Sequence, residues 1–525
     1  MNLITDHWIP VIRQNQQPDV IAPWQIAETD NPVVEIAAPR PDFQGALYQF
    51  LIGLLQTAFA PEDEDQWEEY GQVPPIATEL KTQLQQLAFA FELENSEGAA
   101  FLQDFDLNDG ENKTIAALFI EAPGGKTIKD NLDHFIKRDT ISQLCPSCTA
   151  TALFTLQTNA PSGGVGHRVG LRGGGPLTSL IIPKAATSTL WQKLWLNVQN
   201  QEQLETAKTL DARVLPWLGK TRLSEKGQTT MPQDVHPLHA YWGMPRRIRL
   251  TDKIQNAVCD VCGKPAAELY QGFKTKNYGT NYDGAWVHPL TPYRFDPKKV
   301  NFPLSLKGQQ GGLGYRHWLG LAMQGEDTDD KVATVVQFYN QERGRQLSDR
   351  GHAALWCFGY DMDNMKARCW YESRFPVYYL SGVLRTNLTR WAKELIDAAK
   401  EAVKLLRSEV KAAWFRRPED AKGDMSQIDA QFWQATEADF YQLLEQLAVL
   451  PAETGLAPSG IYASWFATLQ KQLFAVFENA TLAATTEDLD LKRIILAKNN
   501  LSKKFYGNKT IKNLKAKAQP EQEAS

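Results

Sequence analysis

Four of the six cysteines occur as two Cys-x-x-Cys pairs, and these pairs constrain the fold more than any other feature of the sequence. Cys145 and Cys148 form the first pair, and Cys259 and Cys262 form the second pair far downstream. Four thiolates suffice for a closed tetrahedral zinc site that leaves no coordination position open for catalysis. The pattern therefore predicts a structural Zn²⁺ ion. The alternative is two unrelated turns with free thiols, and a redox role is disfavoured because neither pair opens a thioredoxin-like unit.

A glycine-rich stretch follows the first cysteine pair. It begins with an apolar run, residues 149–156, whose periodicity fits either a buried strand or a short helix. Two glycine clusters follow at residues 163–166 and 173–175. Glycine adopts backbone conformations closed to other residues, so the first cluster would let a partner approach the main chain, and the second is interpreted as structural. The Gly-Lys-Ser/Thr ending of a phosphate loop does not follow these glycines. Arg168 and Arg172 between the clusters make nucleic acid a candidate partner.

The chain is too long for one hydrophobic core, because it has 525 residues and single domains rarely exceed about 300. We predict an α+β protein with a large mixed α/β domain over residues 1–380, which holds the four-cysteine zinc knuckle. A C-terminal four-helix bundle follows over residues 381–525, where apolar residues recur at helical spacing. These core positions are Leu388, Trp391, Leu395, Ala398, Ala402, Leu405, Phe440, Leu443, Leu444, Leu447, Tyr462, Trp465, Leu469, Leu473 and Val476.

Local patterns give three further expectations. Strand-like pieces at residues 246–250 and 269–273 flank the second cysteine pair, which is a common way to present a zinc-held turn. The acidic stretch 62–69 is predicted to be a surface loop. The arginines at 246, 247 and 249 form one of several cationic clusters, and such a cluster taken alone is interpreted as a solvated face.

Charge and hydropathy exclude some classes of protein. The net charge of -5 and the pI near 6.0 argue against a cationic coat for nonspecific nucleic-acid binding, although local patches remain open. No apolar run approaches the roughly 20 residues that a membrane span needs. The opening MNLITDHWIPVIRQN lacks the basic start and apolar segment of a secretory signal. We therefore expect a cytoplasmic protein with no membrane partner.

Three carboxylates suggest a competing function. Asp361, Asp363 and Glu372 could serve a metal-dependent nuclease, although a loop with polar turn residues explains the first two as well. No Ser/His/Asp pattern, His-Glu-x-x-His motif or Walker sequence is present, and the eight histidines are scattered. Catalysis by histidine is therefore poorly supported, and the metal-dependent nuclease remains the enzymatic alternative.

Several motifs, taken in order, resemble a known family. They are MNLITDHWIPV, the first cysteine pair with its glycine loop and LRGGGP, CDVCG followed by YQGFKTK, GYDMDNMKARCW, and the helical C-terminus. The chain resembles, over nearly its whole length, the CasA family, the large subunits of the type I-E CRISPR surveillance complex Cascade. The resemblance implies a non-enzymatic subunit that recognises the protospacer-adjacent motif (PAM) on double-stranded target DNA. It further implies duplex opening, R-loop formation and recruitment of a helicase-nuclease, with guide CRISPR RNA and other Cascade subunits as partners.

The resemblance also implies site residues. In that family a glycine loop, a lysine finger and a wedge approach the PAM from the minor groove, where base patterns are degenerate and related sequences are tolerated. The guide RNA then reads the remaining sequence by pairing. By position, the glycine loop is Ser162, Gly163, Gly164, Val165 and Gly166; the finger falls within Lys274, Lys276 and Asn277, with Lys276 chosen as the finger; and the wedge is Asn364, Met365 and Lys366. The segment with Phe135, Lys137 and Arg138 is expected to contact the guide RNA or neighbouring subunits, with an ordinary surface loop as the alternative.

Overall fold

The computed structural model describes residues 1–96, 98–122, 129, 140–164, 166–325, 329–347, 353–363, 365–420, 424–483 and 490–519. These residues form two compact units. The first comprises Met1–Gly308, Ala333–Tyr339 and Arg345–Arg374, and the second comprises Gln309–Val332, Asn340–Gly344 and Phe375–Ser525. The first unit mixes helices with small sheets and the second is mainly helical, so the predicted α+β class is confirmed. The domain boundary after residue 380 stays a prediction.

The described elements have the following bounds. The strands are β1 Ile9–Arg13, β2 Pro18–Ile21, β3 Val33–Ile36, β4 Glu111–Thr114, β5 Thr178–Pro183, β6 Arg247–Val258, β7 Pro265–Lys276, β8 Tyr293–Arg294, β9 Leu304–Ser305, β10 Asp330–Lys331, β11 Ala353–Asp363 and β12 Lys366–Pro376. The α-helices are α1 Pro41–Ala58, α2 Glu64–Gln72, α3 Ala77–Gln85, α4 Pro146–Asn159, α5 Leu190–Trp195, α6 Trp318–Leu321, α7 Thr334–Phe338, α8 Gly344–Leu347, α9 Gly382–Trp414, α10 Ser426–Ala448, α11 Ser459–Thr481, α12 Leu491–Gly507 and α13 Lys509–Lys517. Short 3₁₀ turns cover Pro23–Ala27, Ala88–Ala90, Ile115–Leu118, Pro216–Leu218, Glu225–Gly227, Pro232–Asp234, Pro237–Trp242 and Tyr315–His317, and a π turn covers Tyr339–Arg343.

The core of the first unit is built around α1. The helix begins at Pro41, whose fixed φ suits the first helical position, and Asp42 places an acidic group in the first turn, where the helix dipole favours it. Most of its side chains are buried, so the helix packs on all sides. Phe50 lies at the centre of an aromatic cluster whose rings meet it edge-on: Trp8, Phe91, Phe101, Phe154 and Trp242.

A long antiparallel hairpin, β6–β7, connects the second cysteine pair with the predicted finger. The two strands pair from Arg247 opposite Lys276 to Val258 opposite Pro265, and β4 pairs with the other side of β7. The strands predicted beside the second knuckle are therefore confirmed, although each is longer than its sequence pattern indicated. As a result, the knuckle turn and Lys276 lie at opposite ends of one hairpin.

A second three-stranded sheet has the order β12-β11-β5. The strand β11 pairs antiparallel with β5, from Ala353 opposite Pro183 to Phe358 opposite Thr178, and both strands are largely buried. The strand β12 lies at the edge and is joined to β11 through residues 364 and 365. Of the predicted wedge, Met365 and Lys366 therefore lie where β12 begins, at the end of a β-hairpin.

The acidic stretch 62–69 is not the surface loop that its composition suggested, because most of it lies in α2. Asp63 caps this helix, since its carboxylate accepts a 2.9 Å hydrogen bond from the backbone N–H of Gln66. Trp67 is buried, and its indole N–H donates to the carbonyl of Val198 at 3.1 Å. One buried tryptophan thus anchors an otherwise charged helix.

The C-terminal part of the second unit consists of four long helices, α9 to α12, and the shorter α13. The predicted bundle is confirmed, and its stripes are buried as expected except for Leu405, which is half-buried while Leu406 takes the core position. Trp465 illustrates the packing, since its buried indole N–H donates to the carbonyl of Leu395 at 2.9 Å. In the described parts of the chain, no helix combines the length and apolarity needed to cross a membrane.

Candidate metal centre and nucleic-acid interface

The four paired cysteines meet in space, and their sulfur atoms lie within 4.8 Å of one another. Cys145 and Cys148 lie at the start of α4, while Cys259 and Cys262 lie in the turn between β6 and β7. The Sγ atoms of Cys145 and Cys262 are 3.7 Å apart, well beyond a disulfide bond of about 2.05 Å. This S–S distance matches the roughly 3.8 Å between two sulfur ligands of a tetrahedral site with Zn–S bonds of about 2.3 Å. The donor set therefore fits a tetrahedral thiolate-bound metal ion.

Backbone contacts hold the two halves of this centre together. The segment before α4 runs antiparallel to β7, since Leu144 and Tyr270 exchange hydrogen bonds of 2.9 and 2.8 Å. The Asp260 carboxylate in the knuckle turn accepts hydrogen bonds from the backbone N–H groups of Ser142 and Gln143, at 2.6 and 2.9 Å. The cysteine geometry is thus set by the pairing of two segments that are distant in sequence.

The protonation chemistry of the cluster also favours a cation. Hydrogen bonding with the Cys145 and Cys259 thiols, together with burial, raises the pKa of Cys148 well above its ordinary range. Several adjacent thiolates cannot be held in a buried place without a compensating charge, and a divalent ion supplies it because it binds the thiolate form. Within the described residues, these cysteines are the one group of three or more Cys, His, Asp or Glu side chains placed to hold a metal.

The first glycine cluster forms an exposed loop after α4. Ser162, Gly163 and Gly164 are all exposed. The backbone N–H of Gly163 donates to the carbonyl of His167 at 3.1 Å, which closes the loop. Gly164 has φ +83° and no atom within 4 Å of the position where a Cβ would lie. Its conformation requires glycine and its surroundings are open, so a partner can approach its backbone.

Gly166 connects this loop to the end of β7. Its carbonyl accepts a 2.7 Å hydrogen bond from the backbone N–H of Tyr278. Gly166 has φ +79°, and a Cβ there would lie 2.8 Å from the Cβ of Asn277 and 2.9 Å from the Tyr278 nitrogen. Glycine is required at this position by conformation and by space. The structure thereby brings together the predicted glycine loop and the predicted finger segment.

The finger lysines are held by acceptors in the loop before β4. The Lys276 Nζ atom forms a 2.8 Å ion pair with Asp109, and the Lys274 Nζ atom donates to the carbonyl of Asn108 at 3.2 Å. Both members of the Lys276 pair are exposed, and such surface pairs are weak. Lys276 could therefore exchange Asp109 for a phosphate or a base edge. Asp109 is a partner of the predicted finger that the sequence analysis did not identify, although the Asn-Asp-Gly turn at 108–110 was a signal for a turn there.

The hairpin connection between β11 and β12 carries exposed side chains. Met365 is 51% exposed and Lys366 is also exposed, so both can meet a partner. The second glycine cluster packs against this hairpin: a Cβ on Gly175, which has φ +58°, would lie 2.9 Å from side-chain atoms of Met362 and Tyr360. The stretch between Gly163 and Gly175 therefore touches both the finger segment and the wedge hairpin.

Of the three carboxylates of the nuclease alternative, Asp361 and Asp363 share the guanidinium of Arg368, with Asp363 at 3.7 Å, whereas Glu372 lies apart from them. Arg368 pairs with both oxygens of Asp361 at 2.9 and 2.8 Å, and Asp361 is buried. Glu372 instead accepts a 3.3 Å hydrogen bond from the indole N–H of Trp356. Because Trp356 precedes Asp361 by five positions along β11, Glu372 lies on the order of 16 Å away along the strand. Within the described part of the chain, these three carboxylates therefore do not form a group placed to hold a metal ion.

The arginines between the glycine clusters are held by contacts within the protein. Arg172 is buried, and its guanidinium donates to Thr178 at 3.2 Å, Thr291 at 2.9 Å and Gln49 at 2.5 Å. Burial lowers the pKa of Arg172 to about 10. Arg168 is half-buried and its Nε atom donates to Ser224 Oγ at 2.7 Å. Both residues therefore stabilise the loop scaffold, and the expectation that they contact nucleic acid is wrong for Arg172.

The cationic cluster at 246, 247 and 249 is likewise not a solvated face. Arg247 is buried and its Nε atom pairs with the buried Asp104 at 2.5 Å. Arg249 donates to the backbone carbonyls of Asn95 and Gly98. The Arg246 side chain lies beneath the glycine loop, which its position in the sequence did not indicate. These side chains are fixed by contacts with segments distant in sequence.

Some predicted site residues lie outside the part of the chain that the structure describes. They are Phe135, Lys137, Arg138, Val165 and Asn364. The roles assigned to them stay predictions. The described residues bring the glycine loop, the finger and Asp109 together, and they place the wedge hairpin against the far end of the same glycine stretch.

Comparison with known proteins agrees with this architecture. Residues 2–476 match the family model of the CRISPR-associated protein Cse1. The fold is similar to that of Thermus thermophilus CasA (Cse1), at 18% identity and a TM-score of 0.68 over 96% of this chain and 99% of that one. It is also similar to Thermobifida fusca Cse1, at 17% identity and a TM-score of 0.67 over 99% of both chains. A chain of a CRISPR RNA-guided surveillance complex aligns at 14% identity and a TM-score of 0.68, over 96% of this chain and 99% of that one. Because the family model spans most of the sequence, the protein belongs to the Cse1 family of CRISPR-associated proteins.

Proposed function

We propose that this chain is the non-catalytic large subunit of a type I-E CRISPR RNA-guided surveillance complex, Cascade, in the cytoplasm. In this role it recognises the PAM of double-stranded target DNA from the minor groove, promotes duplex opening and R-loop formation, and recruits a helicase-nuclease. Family membership supports the assembly with guide RNA and other Cascade subunits. The observation that carries the DNA-binding role is the hydrogen bond from Tyr278 to Gly166, which holds the glycine loop beside the finger.

The division of labour follows from the chemistry of each element. The exposed backbone at Gly163 and Gly164 can approach base edges because no Cβ intervenes. Lys276 supplies a donor and a positive charge once it leaves Asp109, and both suit the acceptor-rich minor groove. Met365 and Lys366 present an apolar and a long side chain at the hairpin connection. A side chain inserted at the first base step would offset unstacking, which costs a few kcal/mol.

Zn²⁺ is the ion that we assign to the cysteine centre. Four thiolates close the coordination sphere, so the ion contributes structure and no open position for chemistry. The cysteines hold the start of α4 against the knuckle turn, and this contact fixes the frame that leads to the glycine loop. The non-catalytic role is supported by the separation of Glu372 from Asp361.

The test is target binding by the reconstituted guide-bearing complex across a library of PAM sequences, with and without this subunit. We expect PAM-dependent binding only when the subunit is present, and weaker binding with Lys276→Ala or Gly164→Ala. Lys264→Ala is the matched control, because it removes the same charge from the knuckle end of the β6–β7 hairpin. Equal affinity of the wild-type complex for all PAM sequences would refute the recognition role.

A second assay addresses catalysis. The purified chain is incubated with DNA and Mg²⁺ or Mn²⁺, and we expect no cleavage. Robust cleavage that Asp363→Ala abolishes would establish the nuclease alternative and overturn the non-catalytic assignment.

A further inference from the structure

An arginine, Arg246, lies directly against the glycine loop. Arg246 immediately precedes β6, and its backbone N–H donates to the Gln157 side chain at 2.9 Å. One of its terminal nitrogens donates to the carbonyl of Pro161. A Cβ placed on Gly163 would lie 2.9 Å from Nη1 and 3.3 Å from Nη2 of this guanidinium. The arginine therefore lies against the backbone of a residue that we propose approaches DNA.

Within the described part of the chain, no acidic side chain compensates the charge of Arg246. Its Nε atom is buried, and none of the described residues forms a hydrogen bond with it. Burial lowers the pKa of Arg246 to about 10, so the side chain still carries its proton at neutral pH. Its neighbour Arg247 differs in this respect, since it is paired with Asp104. An unpaired, partly desolvated cation is costly unless an anion completes the site.

His167 lies beside Arg246 in the loop but carries no charge that would balance or add to that of the arginine. The pKa of His167 is lowered, mainly by burial and further by the Arg246 charge, so His167 is neutral at pH 7. The charges of Lys113 and Glu111 also act on His167, but these two residues pair with each other at 2.5 Å. Arg246 is thus the cation beside Gly163 that has no carboxylate partner among the described residues. A guanidinium matches the geometry of a phosphodiester, because its planar fork can donate two parallel hydrogen bonds to two oxygens.

We infer that Arg246 is a further DNA-binding residue, whose guanidinium pairs with a backbone phosphate of the target duplex lying against the glycine loop. This inference rests on the proposed function and extends it. Glycine at position 163 then serves this contact as well, because a Cβ there would lie 2.9 Å from Nη1 and would displace the guanidinium. The contact would position the duplex while leaving sequence discrimination to the groove contacts.

The experiment measures target affinity of the assembled complex at several salt concentrations for wild type, Arg246→Gln and Arg246→Lys. Loss of one phosphate contact should lower the slope of log affinity against log salt by about 0.9. We expect this change for Arg246→Gln, with affinity reduced about tenfold and equally for all PAM sequences. Arg246→Lys should retain the slope but bind more weakly, because a lysine lacks the fork. Arg213→Gln is the control, since it removes an exposed arginine that pairs with Asp211.

A second measurement uses the wild-type protein and so does not depend on the stability of a variant. Single phosphates beside the PAM are replaced by neutral methylphosphonates, and one replacement should weaken wild-type binding without weakening the Arg246→Gln complex further. A wild-type complex that ignores the PAM refutes the proposed function. A PAM-dependent complex in which Arg246→Gln keeps the wild-type slope, or in which every methylphosphonate is tolerated, refutes the role of Arg246 alone. Loss of the variant subunit from the guide-bearing complex without DNA, with normal DNA affinity where it assembles, would assign the arginine to RNA and also refute it.

Discussion

The contact between Gly166 and the finger segment can be tested by a single methyl group. Alanine at φ +79° costs about 1–2 kcal/mol of backbone energy. Its Cβ would also lie 2.8 Å from the Asn277 Cβ and 2.9 Å from the Tyr278 nitrogen, and such overpacking typically costs about 1–3 kcal/mol. Alanine reduces the entropy of the unfolded chain, which returns about 0.4–1 kcal/mol. We therefore expect Gly166→Ala to destabilise the first unit by about 3 kcal/mol.

Gly164→Ala is the matched comparison for this prediction. Gly164 has a similar φ of +83°, but no atom lies within 4 Å of the Cβ position. Only the backbone cost applies, partly offset by the unfolded-state gain, so the expected loss is about 1 kcal/mol. Thermal unfolding of the purified chains at one scan rate measures the difference. At about 2 °C per kcal/mol for a large unit, Gly166→Ala should melt roughly 4 °C below Gly164→Ala.

Equal melting temperatures would refute the reasoning, because they would mean that the loop and the finger segment do not touch. A second readout separates this contact from general destabilisation. Gly166→Ala must displace Tyr278, so hydrogen exchange of the Tyr278 amide should accelerate in Gly166→Ala and remain unchanged in Gly164→Ala.

Three further predictions follow from buried charges and thiols. Purified protein should contain about one zinc ion per chain. The Cys148→Ser variant should lose the ion and unfold at a lower temperature. Wild-type protein that is purified without chelator and contains no metal would contradict the assignment of the cysteine cluster as a metal centre. Arg368→Ala leaves the buried Asp361 carboxylate without this ion pair and should lower the free energy of unfolding by about 2 kcal/mol, measured by urea unfolding. The loss is smaller than for a fully buried pair because the arginine is partly exposed to solvent. An unchanged urea midpoint would show that the pair does not contribute to stability. Burial lowers the pKa of His239 from 6.5 to about 4, so the unfolded chain binds the additional proton and stability should fall as the pH drops from 6.5 to 4. His239→Gln should flatten this dependence, and an unaltered pH profile would exclude His239 as its source.

Elements with a one-sided pattern could be predicted from the sequence. The apolar residues at helical spacing in the second unit predicted the helical bundle, because one face of each helix is buried and the other is exposed to solvent. The apolar run at 149–156 could not be assigned, because α4 is buried on nearly every side and carries no amphipathic signal. The cysteine centre was predictable for a different reason: metal ligation needs particular side chains at particular spacing, whatever elements carry them.

Contacts between distant segments explain what the sequence could not show. The burial of Arg172 depends on Gln49 and Thr291, and neither residue is near it in the chain. The same holds for Arg246. Its position beside Arg247 suggested that both belong to one solvated cluster, but Arg247 is paired with Asp104 and the buried Nε atom of Arg246 has no partner among the described residues. Charge counts describe composition, whereas pairing depends on which carboxylates the fold brings near.

The first cysteine pair and the glycine loop are close in sequence, which suggests one rigid surface. The β6–β7 hairpin shows instead that the metal centre and the finger beside the glycine loop lie at opposite ends of a long element. Cys259 and Cys262 lie in the turn before β7, which begins at Pro265 and ends at Lys276. At roughly 3.3 Å per residue, the finger lies up to about 36 Å from the knuckle along β7. A bound ion is too far away to act on DNA at the finger. Its effect must pass through the register of β6 and β7, which places Lys276 opposite Arg247, next to Arg246 and the glycine loop.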